Sequence, residues 1–386
     1  MAGLYVHIPF CKQACHYCNF HFATSLRYKS VMIEAMTKEI RLRQSYLQKE
    51  PLNTIYFGGG TPSLLSAEEL NMLLQATRET YWVNTEAEIT LEANPDDITE
   101  DRLITWKEAG INRLSIGIQS FHEDDLRWMN RAHSAKQSNA ALALSLQYFD
   151  NITIDLIYGL PGLTDAQWKE NVDRALALGI PHLSCYALTV EPQTPLDKQV
   201  RLQQKSPTDP DKQAAQFLLL MEWLEQAGYR HYEISNFAKP GLESRHNSSY
   251  WQGDSYIGIG PSAHSYNGVS RQWNVANNQQ YIESLQKEEI PFEIEILSPT
   301  QQLNEYIMTA LRTDEGISLG KLKKFNIESL ASVENNETLV NDLSAQLLEK
   351  ASKFLNSGLA FHKDGNILLT REGKLLADGI AADLFF

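Results

Sequence analysis

Long apolar runs, abundant cysteine and an excess of basic charge are all missing from this chain. No stretch approaches the roughly 18 consecutive apolar residues of a membrane span, and the richest, QFLLLMEWL at 216–224, is interrupted by Glu222. The opening MAGLYVHIPF has neither the basic region nor the long apolar core of a secretory leader, so the cytoplasm is the expected compartment. Lys and Arg total 34 against 48 Asp and Glu, a formal net charge of −14. That balance argues against nucleic acid as a partner, because a phosphate backbone requires a basic face. Four cysteines in 386 residues do not make a disulfide framework. Repeats and low-complexity tracts are absent too.

What is present is a regular alternation. Strand-like runs GLYVHI (3–8), TIYFGGG (54–60), AEITLEANP (87–95), RLSIGIQS (113–120), ITIDLIYG (152–159) and HLSCYALTV (182–190) are separated by amphipathic stretches at 28–47, 67–80, 101–109 and 165–178. Strands alternating with helices of this length predict an α/β fold with a parallel sheet. Six units are too few for a closed eight-stranded barrel, which leaves an open or partial (β/α)6 barrel over residues 1–190. The polar segment 191–212 reads as a long surface connection. A helix at 213–227, a strand-like 229–238 and the unusual SRHNSSYWQGDSYIGIGPSAHSYNG (244–268) extend the barrel to about 297. Residues 298–386 read as helices at 303–312 and 340–356 plus a hairpin turning at Asp364-Gly365, a small α+β, winged-helix-like domain. It carries nine Lys and Arg against twelve Asp and Glu, so a lid or docking surface is expected there rather than DNA binding.

Three of the four cysteines fall within HIPFCKQACHYCNF (7–20), spaced C-x3-C-x2-C at the end of the first strand. Cys185, in an apolar alternating run, reads as a buried structural thiol. A structural zinc site wants four ligands, so zinc would need His16 or His21 as the fourth. A [4Fe–4S] cube can instead be gripped at three corners by Cys11, Cys15 and Cys18, leaving one iron for a non-protein chelate. Polar side chains recur where the strands end: Thr61, Glu92, Gln119, and Asp155 within an apolar strand. In α/β barrels such a rim builds the active site.

The cysteine spacing, with GGGTPS (58–63) closing the second strand, resembles the radical S-adenosylmethionine superfamily. LYVHIPFC, GGGTPS, IGIQSF, IDLIYGLPG and YEISNFA together resemble its oxygen-independent coproporphyrinogen III oxidase-like family over nearly the whole chain. That resemblance implies a cluster on the three cysteines that reductively cleaves S-adenosylmethionine to a deoxyadenosyl radical. It implies Tyr5 and Tyr17 flanking the cluster, Gly59, Gly60, Thr61 and Glu92 holding S-adenosylmethionine, and Gln119, Arg131, Asp155, Ala187 and His264 lining the remaining cofactor cavity. The porphyrinogen-oxidising members carry a fourth cysteine where this chain has Phe20, and HNSSYW (246–251) matches the H-N-x-x-Y-W motif of the haem-chaperone branch. Membership of that branch implies haem iron on His246, flat contacts from Tyr250 and Trp251, and transfer to an acceptor haemoprotein, respiratory ones included, with peripheral membrane contact during delivery. His231, His264 and His133 are lesser candidates for a second axial position. An electron donor such as a flavodoxin or ferredoxin, and a homodimer, are further expectations. The alternative reading is an oxidative decarboxylase of coproporphyrinogen III.

Overall fold

A computed structural model describes residues 2–325 and 336–386. Six strands, β1 (Ala2–Ile8), β2 (Leu52–Gly59), β3 (Val83–Ala93), β4 (Arg113–Gln119), β5 (Ile152–Tyr158) and β6 (His182–Ala187), lie parallel and side by side in chain order. Their interior positions are almost all buried, which suits a sheet covered on both faces. Helices Lys29–Leu42, Ala67–Thr80, Glu100–Ala109, Ala135–Ser145 and Asp165–Ala177 return the chain between strands. Several start at reciprocal caps, Ser66 with Glu69, Ser134 with Gln137 and Thr164 with Gln167, which satisfy the first free amides.

The sheet does not close. β7 (Arg230–Glu233) and β8 (Asn236–Ala238) add antiparallel strands beyond β6. On the other side β9 (Ser255–Ile259) runs parallel to β1, and β10 (His264–Tyr266), β11 (Ser270–Asn274) and β12 (Phe292–Ile296) continue antiparallel. The result is a partial barrel within one twelve-stranded sheet. A buried ion pair ties this extension to the first helix. Arg43 donates to Glu39 at 2.7 Å and to Gln272 and Asn274 at 2.8 Å each, while Glu39 accepts from the Gly260 amide at 2.9 Å. Such a pair is tolerated because its remaining donors and acceptors are also satisfied.

The C-terminal part has its own sheet, β13 (Ile317–Ser318), β15 (Asn366–Leu369) and β14 (Ala360–Lys363) in that order. Leu303, Ile307, Leu347, Ile367 and Ile380 pack with helices Pro299–Leu311, Asn336–Asn356 and Ala377–Leu384 into a second core. The expected hairpin is there, and Asp364 (φ 52°) and Gly365 (φ 78°) both take the left-handed conformation that a tight two-residue turn requires.

Three expectations need correction. The first helix stops at Leu42 rather than 47, because 43–49 forms irregular turns with Gln48 and Lys49 at positive φ. Two helices between β4 and β5, Glu123–Trp128 and Ala135–Ser145, were not expected. The 191–212 connection contains helix Pro195–Arg201, capped by Thr194, and its Leu196 is fully buried.

Candidate cofactor site

The C-terminal ends of the parallel strands open onto a cavity of about 520 Å³. Cys11, Cys15, Cys18 and Tyr17 line it from the loop after β1, and Gly59, Gly60 and Thr61 from the end of β2. Glu92, Gln119, Arg131, Asp155 and Ala187 complete the wall from β3 to β6. Twelve of the expected site residues therefore share one space.

The loop reaches that position through backbone ties. The Cys11 amide donates to Ala23 O at 3.1 Å, the His16 amide to Met129 O at 3.1 Å, and the Leu196 amide to His16 O at 2.8 Å. Asn130 donates to Ala14 O at 2.8 Å, and Lys12 reaches Asp96 at 2.8 Å. Lys205 sits over the Trp128 ring at 4.2 Å with its amine 2.9 Å from His16 Nδ1. The 191–212 segment is thus a strap over the cysteine loop.

Glycine is required beside it. A Cβ on Gly60 would lie 2.6 Å from Phe10 O, and Gly59 has φ 104°. The strand end can press against the loop only without side chains there.

Charge in the cavity is unbalanced. Burial, then Asp155, raises Glu92 to about 7, and burial raises Asp155 to about 6 against the pull of Arg131 and Arg113. Tyr56 donates to Glu92 at 2.8 Å. Arg131 donates to Asn94 Oδ1 at 2.8 Å and Gly117 O at 2.9 Å, and its Nη1 is 3.4 Å from both Cys15 Sγ and the Tyr17 hydroxyl. Its buried Nε has no partner. Burial also raises Cys11 to about 11.

These residues fit the expected cofactors. Among the described residues no three His, Cys, Asp or Glu side chains converge on a point where one ion would sit. A cluster asks for something else, since each thiolate holds a different iron. His16 and His21 are engaged elsewhere, the latter 2.7 Å from Asn278 Oδ1. The two carboxylates would be relieved by ammonium and hydroxyl groups, and Arg131 by a carboxylate.

Three expected residues are not in this cavity. Tyr5 and His264 line a second, larger one of about 790 Å³, which the first meets at Asn19 and Phe20. His264 belongs to β10, on the far side of β1 from the strands that carry the rim. His246 lines neither. It is 1% exposed, with Nδ1 2.7 Å from Thr54 Oγ1 and Nε2 2.8 Å from the Tyr250 hydroxyl, and its ring stacks on Tyr56 at 5.0 Å. Tyr250 and Trp251 do face the larger cavity. His231 and His133 do not; half-buried His231 and buried His133 each set Nε2 against a backbone carbonyl, of Ile234 and Ile118.

Sequence reasoning missed Tyr56, Asn94 and the strap. Tyr56 was signalled by its place two residues before the GGG, where alternation along β2 sends its hydroxyl to the Glu92 side. Asn94 was signalled by its place just past the end of β3. The strap carried no local signal.

A parallel βα sheet with three cysteines on the loop after its first strand defines the radical S-adenosylmethionine class, and the Radical SAM superfamily profile matches residues 5–184. The chain is 34% identical to Heme chaperone HemW of Mycobacterium tuberculosis (strain H37Rv) over 99% of its length and 94% of that protein. It is 32% identical to Heme chaperone HemW of Bacillus subtilis, covering 98% of each. The fold matches the solved structure of coproporphyrinogen III oxidase (HemN) from Escherichia coli with a TM-score of 0.83 at 24% identity, over 100% of this chain and 90% of that one. The chain belongs to the HemW branch of the radical-SAM superfamily.

Proposed function

We propose that the protein binds haem and hands it to an acceptor haemoprotein, with a [4Fe–4S] cluster on Cys11, Cys15 and Cys18 and S-adenosylmethionine in the adjoining cavity. The observation that carries this reading is the pairing of the two cavities. One is lined by thiols and by Glu92, Asp155 and Arg131; the other is walled by Tyr5, Tyr250, Trp251, Tyr256 and Tyr266 and is of a size that encloses a flat macrocycle. Phe20, 66% exposed, stands between them where a fourth cysteine would sit in the oxidases. The relatives' printed name, heme chaperone, supports the same reading.

When bound, the cluster would supply an electron to the sulfonium of S-adenosylmethionine. Glu92, Gly59, Gly60 and Thr61 would hold that cofactor, with Gln119, Arg131, Asp155 and Ala187 around it and a flavodoxin or ferredoxin as electron donor. His246 would take the haem iron through Nε2 once Tyr250 withdraws. Acceptors would include respiratory haemoproteins, met in the cytoplasm; among the described residues no helix is long and apolar enough to cross a membrane.

The second reading, oxidative decarboxylation of coproporphyrinogen III, draws support from the complete set of rim residues in the thiol cavity. One experiment separates the two. Anaerobically reconstituted protein loaded with haem should pass it to an apo-haemoprotein and, when given S-adenosylmethionine, a reductant and an electron acceptor, should leave coproporphyrinogen III unchanged. No transfer, together with formation of protoporphyrinogen, would establish the enzyme instead.

A further inference from the structure

The larger cavity carries charge that its aromatic wall does not explain. Beside three histidines, His7, His21 and His264, its formally charged side chains are Arg271, Glu305 and Lys321, two cations against one anion, on a chain whose net charge is −14. A cationic excess there favours an anionic guest.

Arg271 stands on β11, and its Nη2 pairs with Oε1 of Glu305 on helix Pro299–Leu311. The guanidinium side chain is 40% exposed, so the pair is half in water and weak. Its charge is felt along the wall: burial and then Arg271 lower His264, and Arg271 opposes the burial that raises Tyr256 and Tyr266. Lys321, exposed in the short helix Leu319–Lys324, reaches the same cavity and has no ion pair among the described residues.

A porphyrin of the haem type is a flat apolar ring with two carboxylate arms on one edge. The ring matches the tyrosines, and the arms match two cations that stand free once one internal carboxylate steps aside. We propose that Arg271 receives one propionate of the porphyrin and Lys321 the other, with Glu305 as the surrogate carboxylate that holds Arg271 until the ligand arrives. A propionate exchanges one guanidinium–carboxylate pair for another, so the switch needs little net energy. It also cuts a tie between β11 and helix Pro299–Leu311, so filling the cavity loosens a seam of the cavity itself. This inference rests on the haem reading above.

The test compares iron mesoporphyrin, which has both carboxylates, with its dimethyl ester, which has neither, on anaerobically reconstituted full-length protein. Arg271→Gln should weaken binding of the diacid about tenfold and leave the ester unaffected. Glu305→Gln should tighten the diacid about threefold, again without moving the ester. A gain of this kind cannot come from misfolding. Equal affinity of the unmodified protein for diacid and ester, or loss of affinity in Glu305→Gln, would overturn the propionate assignment while leaving haem binding in place. No binding of either porphyrin by protein with full iron and sulfide content would overturn the haem reading itself.

Discussion

A nitrogen that ligates iron needs a free lone pair, and His246 has both of its nitrogens engaged, one by Thr54 and one by Tyr250. Burial lowers its pKa to about 3, so the ring is neutral, which is the form iron binds. What stands between His246 and the larger cavity is the Tyr250 hydroxyl, from a side chain that lines that cavity and packs edge-on against Tyr256 at 4.6 Å. Tyr250→Phe keeps the ring and removes the bond. A hydrogen bond of this kind is worth about 1 kcal/mol, so haem affinity should rise about fivefold. His246→Ala should abolish the haem absorption band assigned to imidazole ligation. If Tyr250→Phe instead weakens haem as much as His246→Ala does, the Tyr250 hydroxyl supports haem binding and does not gate it.

Helix Arg245–Gln252 shows why an element can matter more than its motif. Glu88, on β3 and 5% exposed, accepts the amides of Arg245 and His246 at 3.0 Å each, and Ser244 caps the Asn247 amide at 3.3 Å. A carboxylate at a helix N-terminus is favoured by the dipole. The same carboxylate faces buried Arg113 at 3.9 Å. Glu88→Gln should therefore cost about 3 kcal/mol in urea unfolding, chiefly because buried Arg113 loses its nearest counter-charge and keeps only the more distant Asp155. A loss below about 0.5 kcal/mol would show that the helix is held by packing alone. None of this was legible from HNSSYW, because Glu88 and Arg113 lie well over a hundred residues upstream. The parallel strands and the thiol cavity were legible for the opposite reason. Each βα unit carries its own periodicity, and Thr61, Glu92 and Gln119 announce themselves as polar residues where apolar strands end. Helix Pro195–Arg201 was hidden by its proline, which reads as a breaker although the first helical position accommodates it. The larger cavity was hidden by distance in sequence, since its walls come from β1, from the cysteine loop, from 250–271 and from 302–325.

For the whole molecule, the balance of buried imidazoles against buried carboxylates sets how stability follows pH. Burial lowers His7 and His133 to about 4 and His231 and His246 to about 3, and it lowers His182 as well. An unfolded chain binds these protons near 6.5, whereas the folded one resists them. The stability they contribute is therefore complete above about pH 6.5 and is lost as pH falls toward 4. Glu92 and Asp155, raised to about 7 and about 6, run the other way: their cost is absent in acid, grows as pH climbs from the ordinary carboxylate range near 4 toward those values, and is complete above them. His16 and His264 are lowered too, and Asp125 and Glu233 are raised, so between about pH 4.5 and 6.5 seven imidazoles oppose four carboxylates, the unfolded state binds more protons and stability should rise with pH. The urea midpoint should accordingly be clearly lower at pH 5 than at pH 7. His231 offers a check on the cause, because its surroundings are fixed: its ring stacks on Phe237 at 4.0 Å and its Nδ1 is 3.0 Å from Lys374 Nζ. His231→Gln should remove about one proton from the uptake on unfolding across this range. A midpoint that stays flat from pH 7 to pH 5, or an uptake unchanged in His231→Gln, would mean that water reaches these rings in the folded protein.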